Sequence, residues 1–161
     1  LREDGRVVPE LGPILETIAK NGMILATGHL SPEEGLTLIA EARKAGVEKI
    51  VVTHPVASFV NYSVDQMREA LSQGATYMEH VFNDCTPQVA NPLPPSALGD
   101  AIRAIGPEFC IMSTDSGQVV NPPPVKVMAW YIKEMLQYGL SPKAIRTMTI
   151  TNPGRILGLK K

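Results

Sequence analysis

Residues 24–35, ILATGHLSPEEG, contain the pattern that decides the fold of this 161-residue chain. A short apolar run, typical of a buried strand, stops at His29. Ser31 then offers an N-cap, Pro32 suits the first helical position, and Glu34 completes a capping box, so a helix is predicted to follow at once. One of only three histidines in the chain therefore lies where a strand gives way to a helix.

The same unit of strand and helix recurs along the chain. Buried strands are predicted at residues 23–27, 49–53, 76–79 and 109–112. Helices are predicted at residues 11–21, after Ser31, after Ser63 (with a capping box to Gln66), after Ser96, at residues 125–138, after Ser141 and from Asn152. This alternation predicts an α/β fold with parallel strands. No linker interrupts it, so we expect residues 1–161 to form a single domain.

The composition is that of an ordinary globular protein, with 44% hydrophobic and 19% charged residues. A formal net charge of −1 gives no reason to expect a nucleic-acid or anionic-membrane partner. No apolar run approaches the roughly 20 residues that span a bilayer, and no secretory signal is visible. The two cysteines, Cys85 and Cys110, do not form a CxxC pair, which favours reduced thiols and a cytoplasmic location.

All three histidines fall at predicted strand ends. His29, His54 and His80 are 25 and 26 residues apart, and Asp115 follows the fourth strand. In βα folds the carboxyl ends of parallel strands converge, and ligands bind there. Imidazole nitrogens and carboxylate oxygens are the usual ligands of Zn²⁺ and similar ions, so the spacing predicts a metal site. Asp115 is either a ligand or a base that accepts a proton from activated water.

Several further side chains are candidates for contact with a substrate. Neighbours in a strand point to opposite faces, so only one of Glu79 and His80 can face the site, and we expect His80 to do so. Ser116 and Gln118 could bind substrate or simply satisfy the loop backbone. A thiol nucleophile at Cys85 is a weaker alternative. Two proline-rich loops, residues 84–96 and 116–124, are expected to shape the pocket.

Five segments of the sequence resemble the C-terminal half of an amidohydrolase-superfamily protein. They are ILATGH (24–29), IVVTHP (50–55), YMEHVFN (77–83), CIMSTDSG (110–117) and the closing LSPKAIRTMTITNPGRILGL (140–159). This superfamily consists of metal-dependent hydrolases built on a (β/α)8 barrel, and the chain looks closest to a branch of unknown function.

The resemblance implies a function and a set of roles. The four strands would be the fifth to eighth of a TIM-like barrel. His29 and His54 would be metal ligands, and Asp115 would be both a ligand and the catalytic proton shuttle. His80 matches no general ligand of the superfamily and would bind substrate, with Ser116 and Gln118. The ion would be divalent, zinc or else manganese or iron, and the reaction would hydrolyse an amide-like or ester-like bond of a small molecule.

The chain also departs from the superfamily pattern. It has no His-x-His pair, which the superfamily carries on its first strand, and it supplies only half of the strands. Half a barrel leaves sheet edges exposed, and the chain begins at Leu1, so we expect an upstream segment or another chain, or a second copy, to complete the barrel. Two other functions stay open: a non-catalytic barrel domain that binds a ligand or partner, and a phosphatase-like metal-dependent barrel.

Overall fold

The computed structural model describes residues 2–3 and 6–159. Its strands are β1 (Arg2–Glu3), β2 (Arg6–Val7), β3 (Ile24–Ala26), β4 (Lys49–Thr53), β5 (Tyr77–Val81) and β6 (Cys110–Ser113). Its α-helices are α1 (Leu11–Lys20), α2 (Pro32–Lys44), α3 (Val64–Ser72), α4 (Pro95–Ile105), α5 (Pro124–Gln137), α6 (Pro142–Arg146) and α7 (Asn152–Ile156). None of the helices in these ranges combines the length and apolar character needed to cross a membrane.

Four strands form one parallel sheet in the order β3-β4-β5-β6. Each strand is followed by a helix before the next strand begins, which confirms the predicted α/β class. Strands β1 and β2 pair separately as a small antiparallel ribbon. The sequence did not predict this ribbon, because its strands have only two residues each and lie in the largely polar stretch LREDGRVVPE (1–10).

The two faces of the sheet have different environments. Alternate residues such as Ile50, Met78 and Met112 belong to the main core, which also contains buried residues of α1 to α5. On the opposite face Val51 and Tyr77 pack only in a small cluster with α7, and Ile24 remains 36% exposed. The sheet is therefore covered by helices on one side and is partly open on the other.

Most helix starts were predicted correctly. The hydroxyls of Ser31, Ser63 and Ser141 each accept a bond from the backbone N–H three residues on, and the capping box of Ser63 is complete. The prediction for Ser96 was wrong. Helix α4 begins at Pro95, two residues before the start that a cap at Ser96 would give, because a proline without an N–H is well placed in the first turn.

The C-terminal segment is fastened to the beginning of β6. The side-chain amide of Asn152 donates to the carbonyl oxygens of Pro107 at 2.9 Å, Glu108 at 3.2 Å and Cys110 at 2.7 Å. A π-helical turn at Thr147–Thr151 joins α6 to α7 and brings this asparagine into place. The Asn-Pro of the closing sequence thus holds the last helix against the sheet.

Candidate functional site

The loops after the four parallel strands bring four polar side chains to one edge of the sheet. His29 follows β3 and His54 follows β4 directly, while Asp84 lies in the 3-10 turn after β5 and Asp115 lies after β6. This is the carboxyl edge, where parallel α/β sheets hold their ligands. The structure therefore brings together His29, His54 and Asp115, as the sequence predicted.

The backbone is left-handed at two of these positions. His54 has a φ of 52° and Asp115 a φ of 47°, and among the described residues Asn61 alone shares this feature outside glycine. A positive φ is uncommon in a side-chain-bearing residue and costs of order 1–3 kcal/mol. Such strain concentrates at functional sites, so the backbone geometry independently marks this pair.

A buried carboxylate orients His54. Its Nδ1 lies 2.8 Å from Oδ1 of Asp84, and both side chains are almost fully buried. An ionised carboxylate can only accept, so Nδ1 must carry the proton and donate. The other ring nitrogen, Nε2, is then free as an acceptor in the neutral ring, and it lies 3.8 Å from Oδ2 of Asp115.

The same carboxylates set the titration of His54. Burial is the largest single influence and lowers the pKa, because it disfavours the charged ring. The hydrogen bond that His54 donates to Asp84 and the negative charges of Asp84, Asp115 and Glu79 together outweigh burial, so the pKa of His54 is raised above its ordinary 6.5. This edge of the sheet therefore stabilises positive charge.

Phe59 lies over the two histidines. Its ring centroid is 4.9 Å from that of His29 and 5.5 Å from that of His54, and the two imidazoles are 5.0 Å apart. Phe59 is 47% exposed, although its neighbours Ala57 and Val60 are buried and fix the loop. A half-exposed aromatic ring held in this way forms an apolar wall beside the polar site. No sequence pattern that we used singled it out.

Ser116 and Gln118 support the loop that carries Asp115. The side-chain amide of Gln118 donates to the carbonyl oxygen of Asp115 at 2.9 Å, and its oxygen accepts from the backbone N–H of Gly117 at 3.1 Å. The hydroxyl of Ser116 donates to the carbonyl oxygen of Thr114 at 3.5 Å. Both side chains therefore satisfy the loop backbone, and their contact with a substrate stays a prediction.

The expectation that His80, rather than Glu79, faces the site was wrong. Strand β5 continues to Val81, so His80 lies inside it, paired with Met112 on the face that packs against the helices. Its side chain is 0% exposed and cannot reach a ligand at the sheet edge. Glu79 lies on the other face, level with Thr53, and its charge acts on His54. Alternation along the strand decides this outcome.

Burial leaves His80 in an unusual state. Neither ring nitrogen has a hydrogen-bond partner among the residues that the structure describes. Desolvation lowers the pKa of His80 to about 4, so the ring is neutral near pH 7.

Asp84 is the site residue that the sequence analysis missed. The residues after His80 were assigned to a loop that shapes the pocket, because the strand was predicted to end at residue 79. Extending β5 by two residues would have placed Phe82–Cys85 directly after a strand end, at the same edge as His29. The carboxylate of Asp84, placed just after a strand end, is the sequence signal that could have identified this site residue.

The cysteines do not provide a nucleophile. Both are free thiols, and burial raises the pKa of Cys85 and of Cys110 to about 12. The reactive form of cysteine is the thiolate, which is scarce near pH 7 at such a pKa. The alternative of a Cys85 nucleophile is therefore not supported.

The donors at the sheet edge suit a divalent cation in their chemistry. His54 presents a free Nε2 whose orientation is fixed from behind by a carboxylate, an arrangement common to histidine ligands of metals. Asp84 Oδ2 is buried and has no hydrogen-bond partner in the part of the chain that the structure describes. Within residues 2–3 and 6–159, however, no three His, Cys, Asp or Glu side chains form a group ready to hold a metal ion. The donor atoms at the sheet edge are of the types that bind a divalent cation, but the described residues do not supply a complete set of ligands.

Comparison with known sequences gives a family without a function. Residues 1–79 match a family of unknown function (DUF6282), which is just under half of the chain. No curated protein sequence matches the chain.

Comparison with solved structures shows the fold. A putative 2-pyrone-4,6-dicarboxylic acid hydrolase from Pseudomonas putida superposes on 98% of this chain with a TM-score of 0.65 and 15% identity. The N-acetyl-D-glucosamine-6-phosphate deacetylase of Mycobacterium smegmatis superposes on 95% with a TM-score of 0.55 and 21% identity. The first is named as a hydrolase and the second as a deacetylase. This chain covers 61% and 51% of their lengths, so it has the fold of about half of such a TIM-like barrel.

Proposed function

We propose that this chain forms one half of a metal-dependent hydrolase site for a small molecule. The observation that carries the proposal is the alignment of Asp84, His54 and Asp115 at the carboxyl edge of the sheet. Asp84 fixes the ring of His54, and Nε2 of that ring faces the Asp115 carboxylate at 3.8 Å. The likeness of the fold to two hydrolases supports the choice of reaction class, which is hydrolysis of an amide-like or ester-like bond.

In this proposal His54 Nε2, Asp115 and His29 hold a divalent ion, zinc or else manganese or iron. The remaining ligands come from outside the described residues, since these alone do not complete a metal-binding group. A bound divalent ion supplies a Lewis acid for the substrate carbonyl and a water that loses its proton near neutral pH. Asp84 keeps Nε2 of His54 available by holding the proton on Nδ1.

Asp115 is the proposed catalytic residue. Its side chain is 51% exposed, so a water and a substrate can both reach it. It accepts a proton from the attacking water and returns it to the leaving group. Over the two histidines, Phe59 provides an apolar wall that packs on the substrate. His80 has no part in this scheme because it is buried behind the sheet.

We also propose that a further segment or chain, or a second copy, completes the barrel. Strands β3 and β6 are the two edges of the described sheet, and Ile24 and Ala26 of β3 are exposed on its open face. An uncovered parallel edge is unusual in α/β proteins. Sedimentation velocity and hydrogen exchange test this point. A monomer whose outward-facing β3 amides are already protected would contradict it.

Replacement of Asp115 by Asn tests the proposed reaction. The chain, purified together with the segment or chain that completes the barrel and supplied with zinc, is assayed with 4-nitrophenyl acetate and with an N-acetyl amino acid. We expect Asp115→Asn to abolish turnover while its circular dichroism stays unchanged. The matched control is Asp65→Asn, which alters an exposed carboxylate on α3. No turnover by the wild type, or equal turnover by the Asp115 variant, would contradict the proposal and favour a binding domain.

A further inference from the structure

Asp115 belongs to a closed ring of hydrogen bonds with the side chains of Asn83, Asn121 and Gln118. The Asn83 amide lies 3.4 Å from Asp115 Oδ2, and the Asn121 amide donates to Asn83 Oδ1 at 2.8 Å. The Asn121 amide also donates to the Gln118 oxygen at 2.8 Å, and Gln118 returns to the Asp115 carbonyl at 2.9 Å. The ring therefore grips both the carboxylate and the backbone of the same residue.

The bonds of the ring fix the orientation of the Asn83 amide. Its Oδ1 accepts from Asn121 and also from the Thr86 hydroxyl at 3.0 Å. The Asn121 NH₂ group, which also donates to the Gln118 oxygen, can only donate here, so an oxygen must face it and the NH₂ group of Asn83 must point to Asp115. A flipped Asn83 amide would oppose the Asn121 NH₂ group with its own and would face Asp115 with its oxygen.

Asn83 is the rigid part of the ring. It is 6% exposed, and its backbone N–H donates to the Thr114 carbonyl at 3.2 Å, which ties the end of β5 to the end of β6. Asp115, by contrast, is half-exposed and has a left-handed backbone. An exposed carboxylate on a strained loop does not hold one rotamer unless a neighbour fixes it.

We propose that Asn83 is the positioning residue for Asp115. Its amide and His54 Nε2 approach the same carboxylate oxygen, Oδ2, at 3.4 Å and 3.8 Å, so Asn83 fixes the oxygen that faces His54, while Asn121 and Gln118 lock the loop in the matching conformation. This inference rests on the proposed function, because the positioning by Asn83 directs the Asp115 carboxylate toward the proposed cation and water. Side chains that orient a metal ligand in this way typically contribute 10–100-fold to metal affinity.

Nuclear magnetic resonance of the metal-free wild-type chain tests the contact. A carboxylate acceptor shifts the side-chain NH₂ resonances of Asn83 downfield, and Asp115→Asn is expected to move them upfield. The side-chain resonances of Asn91, an exposed residue of the same loop, are the control and should stay in place. Asn83 resonances that do not respond to Asp115→Asn would overturn the inference, because they would show that the two groups do not meet.

Zinc titration calorimetry, on protein purified together with the segment or chain that completes the barrel, tests the consequence. Asn83→Ala and Asn121→Ala are expected to weaken zinc binding about 10–100-fold, the first more than the second, whereas Asn91→Ala leaves it unchanged. Affinity of Asn83→Ala within twofold of the wild type would overturn the positioning role. If the wild type binds no zinc, the proposed metal site fails, and the Asn83 resonances still decide whether Asn83 holds Asp115.

Discussion

The buried imidazole of His80 makes the stability of the fold depend on pH. In the folded protein its pKa is about 4, and in the unfolded chain it returns to the ordinary 6.5. Between these values the unfolded state binds a proton that the folded state does not. The contribution of neutral His80 to the free energy of unfolding is therefore fully present above pH 6.5. It falls as the pH drops through this window and is lost completely near pH 4.

The size of the effect follows from the two pKa values. One pKa unit corresponds to about 1.4 kcal/mol, so the complete loss is about 3 kcal/mol, of which about 2 kcal/mol is lost between pH 7 and pH 5. His54 acts in the opposite direction because its pKa is raised. The contribution of His80 must therefore be taken as a difference between the wild type and a variant that lacks this ring.

Urea unfolding at pH 7 and pH 5 measures that difference. We expect the free energy of unfolding to fall between pH 7 and pH 5 by about 2 kcal/mol less in His80→Leu than in the wild type. At pH 7 it should be at least as stable as the wild type, since both ring nitrogens lack partners within the described residues. The control, Met78→Leu, changes a buried residue on the same face of β5 without removing a titratable group and should keep the wild-type pH dependence. An equal pH dependence in wild type and His80→Leu would refute this reasoning.

Three further predictions concern packing and reactivity. Gly35→Ala should destabilise the fold by about 1–3 kcal/mol, because its Cβ would lie 1.8 Å from the buried Tyr62 hydroxyl. The control Gly12→Ala has open space around it and should not destabilise the fold. Thermal unfolding compares the two variants. Asn152→Ala should lower the free energy of unfolding in urea by about 2–4 kcal/mol, because it leaves three backbone carbonyls without their shared donor. An unchanged midpoint of urea unfolding would count against the anchoring role of Asn152. Cys85 should resist alkylation at pH 8 until urea unfolds the chain, because its pKa is about 12.

The fold was predictable because local signals and hydrophobic patterns agreed. The serine caps and the short apolar runs define alternating helices and strands, and β4 has the bounds that were predicted for it. The end of β5 was placed two residues early, because Glu79 and His80 are polar and interrupt the apolar run although the strand continues through them. That error hid Asp84 and gave His80 a role it does not have.

The candidate site was predictable only in its strand-end residues. His29, His54 and Asp115 can be located by the rule that parallel strands present ligands at their carboxyl ends. Asn83 and Phe59 could not, because their importance depends on contacts across loops that no local pattern encodes. Long-range side-chain contacts of this kind require the structure.

Metal content per chain tests whether this edge of the sheet binds a divalent ion. Protein purified together with the segment or chain that completes the barrel, reconstituted with zinc, manganese or iron and then dialysed, is analysed by plasma mass spectrometry. The account predicts about one or two equivalents in the wild type, loss of metal in a His29→Ala/His54→Ala double variant, and retention in His80→Leu, whose missing ring lies behind the sheet. Absence of metal from the wild type, or equal metal in the double variant, would contradict it.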